Sequence, residues 1–142
     1  MIGGGALALA AGASYAVWAP RPAPGNWGEL TPPEVLAGVE AGDLMLVDIR
    51  RPDEWRRTGI APGAVPLDMR RKDFTEALAA LRGDSTLPVV LICAGGVRSR
   101  RLTARLTEAG IGPLIDVPEG MVGSSAGPGW IERGLPTETW TN

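Results

Sequence analysis

Pro88-Val89-Val90-Leu91-Ile92-Cys93-Ala94-Gly95-Gly96-Val97-Arg98-Ser99 is the stretch that decides how this chain folds. Its first part is a continuous apolar run of strand length with no polar alternation, the pattern of a strand buried on both faces, as strands of parallel sheets are. Cys93 to Val97 reads as a glycine-containing loop, and Ser99 to Ala109 as a helix with Leu102, Leu106 and Ala109 on one face before Gly110. Outward from it the same grammar repeats. Leu44-Met45-Leu46-Val47-Asp48-Ile49 is a second buried strand and Pro113-Leu114-Ile115-Asp116-Val117 a third. Asp73 and Glu76 open a helix whose Phe74, Ala77, Leu78 and Leu81 share one face, closed by Gly83. Leu30-Thr31-Pro32-Pro33-Glu34-Val35 starts an earlier helix: Thr31 is its N-cap, Pro32 its first residue, Glu34 closes a capping box, and Leu30 staples onto Val35. That helix runs to about Ala41, with Gly42 as its stop. Strands alternating with helices at this spacing mean βαβ units with right-handed crossovers, hence an α/β fold with a parallel sheet covered by helices on both faces.

Composition narrows the chemistry. With 142 residues the chain has room for one full domain, and 14 Lys+Arg against 16 Asp+Glu leave a net charge of −2. No basic stripe marks a nucleic-acid surface. There is no histidine, which removes Cys-His and Ser-His catalysis and histidine metal sites. The single cysteine, Cys93, forms neither an internal disulfide nor a Cys-x-x-Cys pair, so no metal and no cofactor is expected. Cys93 is then either a buried small apolar residue or a reagent.

The second option has physical support. Ligands of open parallel sheets bind beyond the carboxyl ends of the strands. One strand ends at Asp48, with Arg50 just past it; another delivers Cys93 into Ala94-Gly95-Gly96-Val97-Arg98-Ser99. The glycines let backbone N–H groups converge as a nest, the helix start adds about half a positive charge, and Arg98 adds a full one. Such surroundings hold a cysteine largely as thiolate at neutral pH, which makes a nucleophile without a histidine.

At these residues the chain resembles the rhodanese homology domain, from about Trp27 to Pro136. Val47-Asp48-Ile49-Arg50 with Pro52, Glu54 and Trp55 is similar to the family's Asp-x-Arg…Glu-aromatic segment. Gly59-Ile60-Ala61-Pro62-Gly63-Ala64 is similar to its Gly-His-Ile-Pro-Gly-Ala segment, and Cys93 to Ser99 to its active loop, Cys-x-x-Gly-x-Arg-Ser. Gly120-Met121, Trp130, Gly134, Leu135 and Pro136 resemble the closing element. The resemblance implies a five-stranded parallel α/β domain that moves sulfane sulfur from thiosulfate or 3-mercaptopyruvate, through a persulfide on Cys93, to a thiol or cyanide-like acceptor, which includes a protein. Cys93 is the implied nucleophile. Ala94, Gly95, Gly96, Val97, Arg98 and Ser99 are the implied substrate-binding loop, supported by Asp48, Arg50, Glu54 and Trp130. Arg98 has two readings, contact with an anionic donor or a brace paired with Asp48 or Glu54. Trp130 likewise either lines the mouth of the site or packs the last helix on the sheet.

Three departures stand out: Ile60 in place of the family's histidine, Glu119 in place of the first closing glycine, and an insertion over 122–129 that forms a flap or a surface turn. Two other functions compete. One is a sulfur-relay or binding module of the same fold without turnover. The other is a cysteine phosphatase or arsenate reductase, disfavoured because those resemble one another in a Cys-x5-Arg loop whereas four residues, Ala94 to Val97, separate Cys93 from Arg98 here.

The start of the chain is organised differently. Residues 2–20 carry no charge and are rich in Ala and Gly, at the short limit of the ~17–25 residues of a membrane span. Residues 1–25 are therefore read as an export signal or membrane anchor with a Pro-rich linker, and 26–142 as the domain. That predicts a periplasmic or periplasm-facing anchored protein, or a cytoplasmic one if the start codon is misplaced.

Overall fold

The computed structural model describes residues 28–141. The expected signal or anchor, the Pro-rich linker and Trp27 lie outside the described residues. Four parallel strands form the sheet: β1 (Met45–Asp48), β2 (Val65–Pro66), β3 (Val89–Ile92) and β4 (Leu114–Asp116), in the order β2-β1-β3-β4. The helices are α1 (Pro32–Ala41), α2 (Pro52–Thr58), α3 (Phe74–Arg82), α4 (Val97–Glu108) and α5 (Gly129–Glu132).

The α/β class stands, but the expected fifth strand is reduced to a single parallel bridge between Glu29 and Asp116 at the β4 edge. Leu30 N–H donates to the Asp116 carbonyl at 3.0 Å. Two residues later Pro32 begins α1, so the chain turns out of the ladder before a second pair can form. The opposite edge is equally short. β2 ends at Pro66, which has no N–H to offer a further strand.

Period-two alternation divides the strands between two cores. Val47, Val89, Leu91, Cys93 and Leu114 face Phe74 and Leu78 of α3 and Leu102 and Leu106 of α4. Leu46, Val90, Ile92, Ile115 and Val117 face Val35 of α1 together with Met121 and Trp130. Covering both faces is what permits strands without a polar side.

Local signals act where the sequence placed them, with some corrections. The Thr31 N–H donates to Glu34 Oε2 at 3.2 Å, and Gly42 ends α1 in the left-handed region at φ 71°. Leu81, expected on the buried face of α3, is 38% exposed, and Ala109 lies exposed beyond the end of α4. Leu81 lies in the last turn of α3, and Ala109 is the residue just after α4. Helix α2 was not anticipated, although Pro52 at its first position and the Arg51 N–H bonded to Glu54 Oε2 at 2.9 Å repeat the α1 device.

At the end of β1, Asp48 and Arg50 form an ion pair 0% and 1% exposed. Arg50 Nη2 lies 2.8 Å from Asp48 Oδ2, and the guanidinium also donates to Thr58 Oγ1 and the Gly59 carbonyl at 2.8 and 3.0 Å. The pair ties the end of β1 to the end of α2. Asp48→Ala strands the Arg50 charge inside the protein and is expected to cost about 3–5 kcal/mol. Denaturant unfolding checks this, and a loss below about 1 kcal/mol would mean that water reaches the guanidinium.

Candidate functional site

Cys93 follows the last residue of β3, and its side chain is the last on the α3/α4 face of that strand, so the sulfur stands at the foot of α4. It is free and 1% exposed. The Gly96 N–H points at Sγ from 3.2 Å and the Ser99 N–H from 3.4 Å. Both belong to the start of α4, whose first N–H groups have no partner within the helix. Cys93 Sγ also lies 3.4 Å from Ser99 Oγ, to which its S–H donates, and that hydroxyl donates to the Gly96 carbonyl at 3.3 Å. Part of the nest expected from the sequence is thus aimed at the cysteine sulfur itself.

The loop keeps this shape because a second segment presses on it. Gly96 has φ 81°, and a Cβ there would lie 2.1 Å from the Pro118 carbonyl oxygen. From the other side, the Met121 and Val122 N–H groups donate to the Cys93 and Ala94 carbonyls, each at 2.9 Å. Ala94 and Gly95 are half-buried, whereas Val97 is 51% and Val122 54% exposed. The rim of the site is therefore apolar or backbone, apart from Arg98.

Arg98 grips Glu54 of α2 in a fork, Nη1 to Oε2 at 2.9 Å and Nη2 to Oε1 at 2.7 Å. Of the two partners weighed from the sequence, the structure selects Glu54, since Asp48 is taken by Arg50. This clamps the active loop to α2. It also neutralises the loop's cation while leaving further N–H groups of the guanidinium unused. Chiefly through the Arg98 hydrogen bonds, and against the cost of burial, the Glu54 carboxyl is lowered from 4.5 to about 2.

Trp130 does not line the site. It is 0% exposed in the α1 core, and its Nε1–H donates to the Pro136 carbonyl at 2.8 Å. Ile60 is buried too, and pairs with Glu138 of the C-terminal tail. The 122–129 insertion is a tight turn with an antiparallel bridge between Ser124 and Gly127, packed so that the Gly123 carbonyl would meet a Cβ on Gly95 at 3.3 Å. Glu119 explains how it is held. That 4%-exposed carboxylate accepts from the Gly129 N–H at 3.0 Å and from Arg133 Nε and Nη2, each at 2.7 Å. The departure from a closing glycine thus anchors the inserted turn.

Sequence reasoning missed two members of the neighbourhood. Thr58 escaped because nothing local marks a threonine as an arginine acceptor. Asp116 had a signal that was passed over: a carboxylate inside an otherwise apolar strand. Among the described residues, no group of three or more His, Cys, Asp or Glu side chains could hold a metal.

A family model described as the rhodanese-like domain matches residues 31–126. A rhodanese-like domain protein of Staphylococcus aureus shares 25% identity and a TM-score of 0.58, over 78% of this chain and 98% of that one. A protein of Rhodopseudomonas palustris described as a possible tyrosine phosphatase shares 26% identity and a TM-score of 0.55, over 78% and 84%. Among curated sequences, a tRNA uridine(34) hydroxylase of Chlamydia abortus is 27% identical over 106 residues, covering 70% of this chain. This chain's match spans 32% of that relative's length.

The Arg98–Glu54 fork has a testable pH signature. Because the folded-state value of Glu54 is depressed, its contribution to stability is complete above 4.5 and is lost as pH falls through about 2. Urea unfolding across that window is expected to show wild type losing its advantage over Glu54→Gln. A gap between the two that stays constant with pH would mean that the fork does not stabilise the folded loop.

Proposed function

The chain belongs to the rhodanese-like domain family, and from that premise we propose that it is a sulfurtransferase with Cys93 as nucleophile and sulfur carrier. The observation that carries the reading is the pair of backbone N–H groups aimed at Cys93 Sγ from the start of α4. The reaction runs in two displacements. The Cys93 thiolate attacks the outer sulfur of a donor such as thiosulfate; the new S–S bond forms as the donor's own breaks, and sulfite departs with the electron pair. With 3-mercaptopyruvate the broken bond is C–S, and the pyruvate carbanion takes up a proton. A thiol or cyanide-like acceptor then attacks the terminal sulfur and releases Cys93 as thiolate. Backbone dipoles that already point inward need no reorganisation as charge builds on sulfur.

Arg98 supports donor binding only through the N–H groups that Glu54 leaves unused. One dianion facing a cation already neutralised is a weak pairing, and Ala94 and Gly95 add no charge. This favours, as a second reading, a relay in which sulfur arrives as a persulfide on a thiol carrier instead of as thiosulfate. A phosphatase has less support, because a nest's radius is set by how many N–H groups converge and this loop is one residue short for a tetrahedral phosphate.

Cyanide-dependent thiocyanate formation from thiosulfate and from 3-mercaptopyruvate, with intact mass after donor alone, tests the proposal. Turnover and a one-sulfur mass gain, both lost in Cys93→Ser, are expected. Sulfur accepted only from a thiol persulfide would favour the relay, and Cys93-dependent turnover of an aryl phosphate would overturn both readings. Arg98→Lys separates its two roles: a larger loss with thiosulfate than with an uncharged donor marks donor contact, and equal losses mark the brace.

A further inference from the structure

Asp116 is buried without an evident structural reason. It is 4% exposed, and neither Oδ1 nor Oδ2 has a hydrogen-bond partner. Its place on β4, opposite Leu91, puts it by strand alternation on the face of Leu114, Leu91 and Cys93, beneath α4. Ser99, in the first turn of α4, connects the two groups. Its Oγ is 3.4 Å from Cys93 Sγ, and its side chain is also near enough to Asp116 to favour that carboxylate's charged form. Burial nonetheless dominates and pushes the Asp116 carboxyl up from 3.8. Glu29, from the bridge segment, pushes in the same direction, whereas the Val117 backbone and Arg100 of α4 oppose it.

Resting on Cys93 as the reactive group, we propose that Cys93 and Asp116 share one proton through the Ser99 hydroxyl, and that when the pair is singly ionised the proton sits on Asp116 and the charge on sulfur. The S–H bond breaks as its proton goes to Ser99 Oγ. The Ser99 proton, turned away from the Gly96 carbonyl, goes to the carboxylate, where an O–H bond forms. No proton leaves the protein and no net charge is created. The negative charge moves from a carboxylate in a buried setting to a sulfur that receives two N–H groups, which is the direction electrostatics favours. In a chain without histidine, and with a sulfur only 1% exposed, an internal acceptor removes the need for water to reach the thiol. Asp116 does not touch the sulfur, so it is a positioning residue for the proton and not a catalytic residue.

The two groups then titrate as a coupled pair, and the order of their ionisation is the test. In the full chain, NMR of carboxyl-labelled aspartate follows Asp116, identified by the resonance lost in Asp116→Asn. The ultraviolet absorbance of the thiolate follows Cys93, the only cysteine. Asp116 is expected to stay protonated through the pH range in which the thiolate forms. Its acid dissociation is expected to rise about tenfold or more once the sulfur charge is removed. Cys93→Ser removes that charge, as does methylthiolation of Cys93 in the unaltered chain. An Asp116 that ionises before the thiol, or whose curve is indifferent to both changes, overturns the proposal. Neither titration uses a sulfur donor, so this failure is distinct from a failure of sulfur transfer.

Discussion

The site depends on how closely two pieces of backbone approach each other beyond the ends of β3 and β4. A Cβ on Gly96 would stand 2.1 Å from the Pro118 carbonyl oxygen, and one on Gly120 would stand 2.3 Å from that of Ala94. Both glycines adopt positive φ, at 81° and 65°, where side chains are strained in any case. Their contact fixes the path of the loop after Cys93. That path aims the Gly96 and Ser99 N–H groups at the sulfur, where a looser loop would leave them to solvent. The surroundings of the Cys93 sulfur are therefore made by main chain, and side chains serve mainly to hold that main chain in place.

Three carboxylate–arginine pairs do the holding, each joining segments that the sheet alone would leave independent. Asp48–Arg50 ties β1 to the end of α2, Glu54–Arg98 ties α2 to the active loop, and Glu119–Arg133 ties the closing loop to the residues after α5. Their environments differ in a way that matters. The first is fully buried, so that loss of one partner is severe, whereas Arg98 and Arg133 are about a third exposed, at 33% and 32%, and their pairs are softened by solvent. The clamp nearest the Cys93 sulfur is thus one of the softer ones, with the guanidinium partly open to whatever approaches the loop.

What the sequence made legible follows the range of the interaction that carries each feature. Buried strands, the glycine stops at Gly42 and Gly83, and Cys93 at a strand end before a helix are set by neighbours a few residues away, and they stand as read. The fifth strand fails for a reason visible only in space: an edge segment must both reach β4 and stay extended, and Pro32 turns it into α1 after one bridge. The choice of Glu54 over Asp48 for Arg98 spans 44 positions in sequence and rests on Arg50 having claimed Asp48 first. Trp130 was ambiguous because an indole suits a pocket mouth and a core equally well. Its N–H bond to Pro136 and its zero exposure place it in the core.

Glu119 shows how a departure from a family pattern can be a substitution of means. Where two glycines would let the closing loop hug the active loop unaided, only Gly120 remains, and the inserted turn after it has to be secured by some other contact. A Cβ on Gly127 would lie 2.5 Å from the Glu119 carboxyl carbon, so the turn wraps directly against the carboxylate. That carboxylate gathers the Gly129 N–H and Arg133 from the far side of the turn. Val122, whose N–H holds the Ala94 carbonyl, is consequently presented half-exposed at the rim of the site, close to a loop that offers no free charge of its own. A rim built this way presents apolar side chains and backbone more than free charge to whatever approaches the loop.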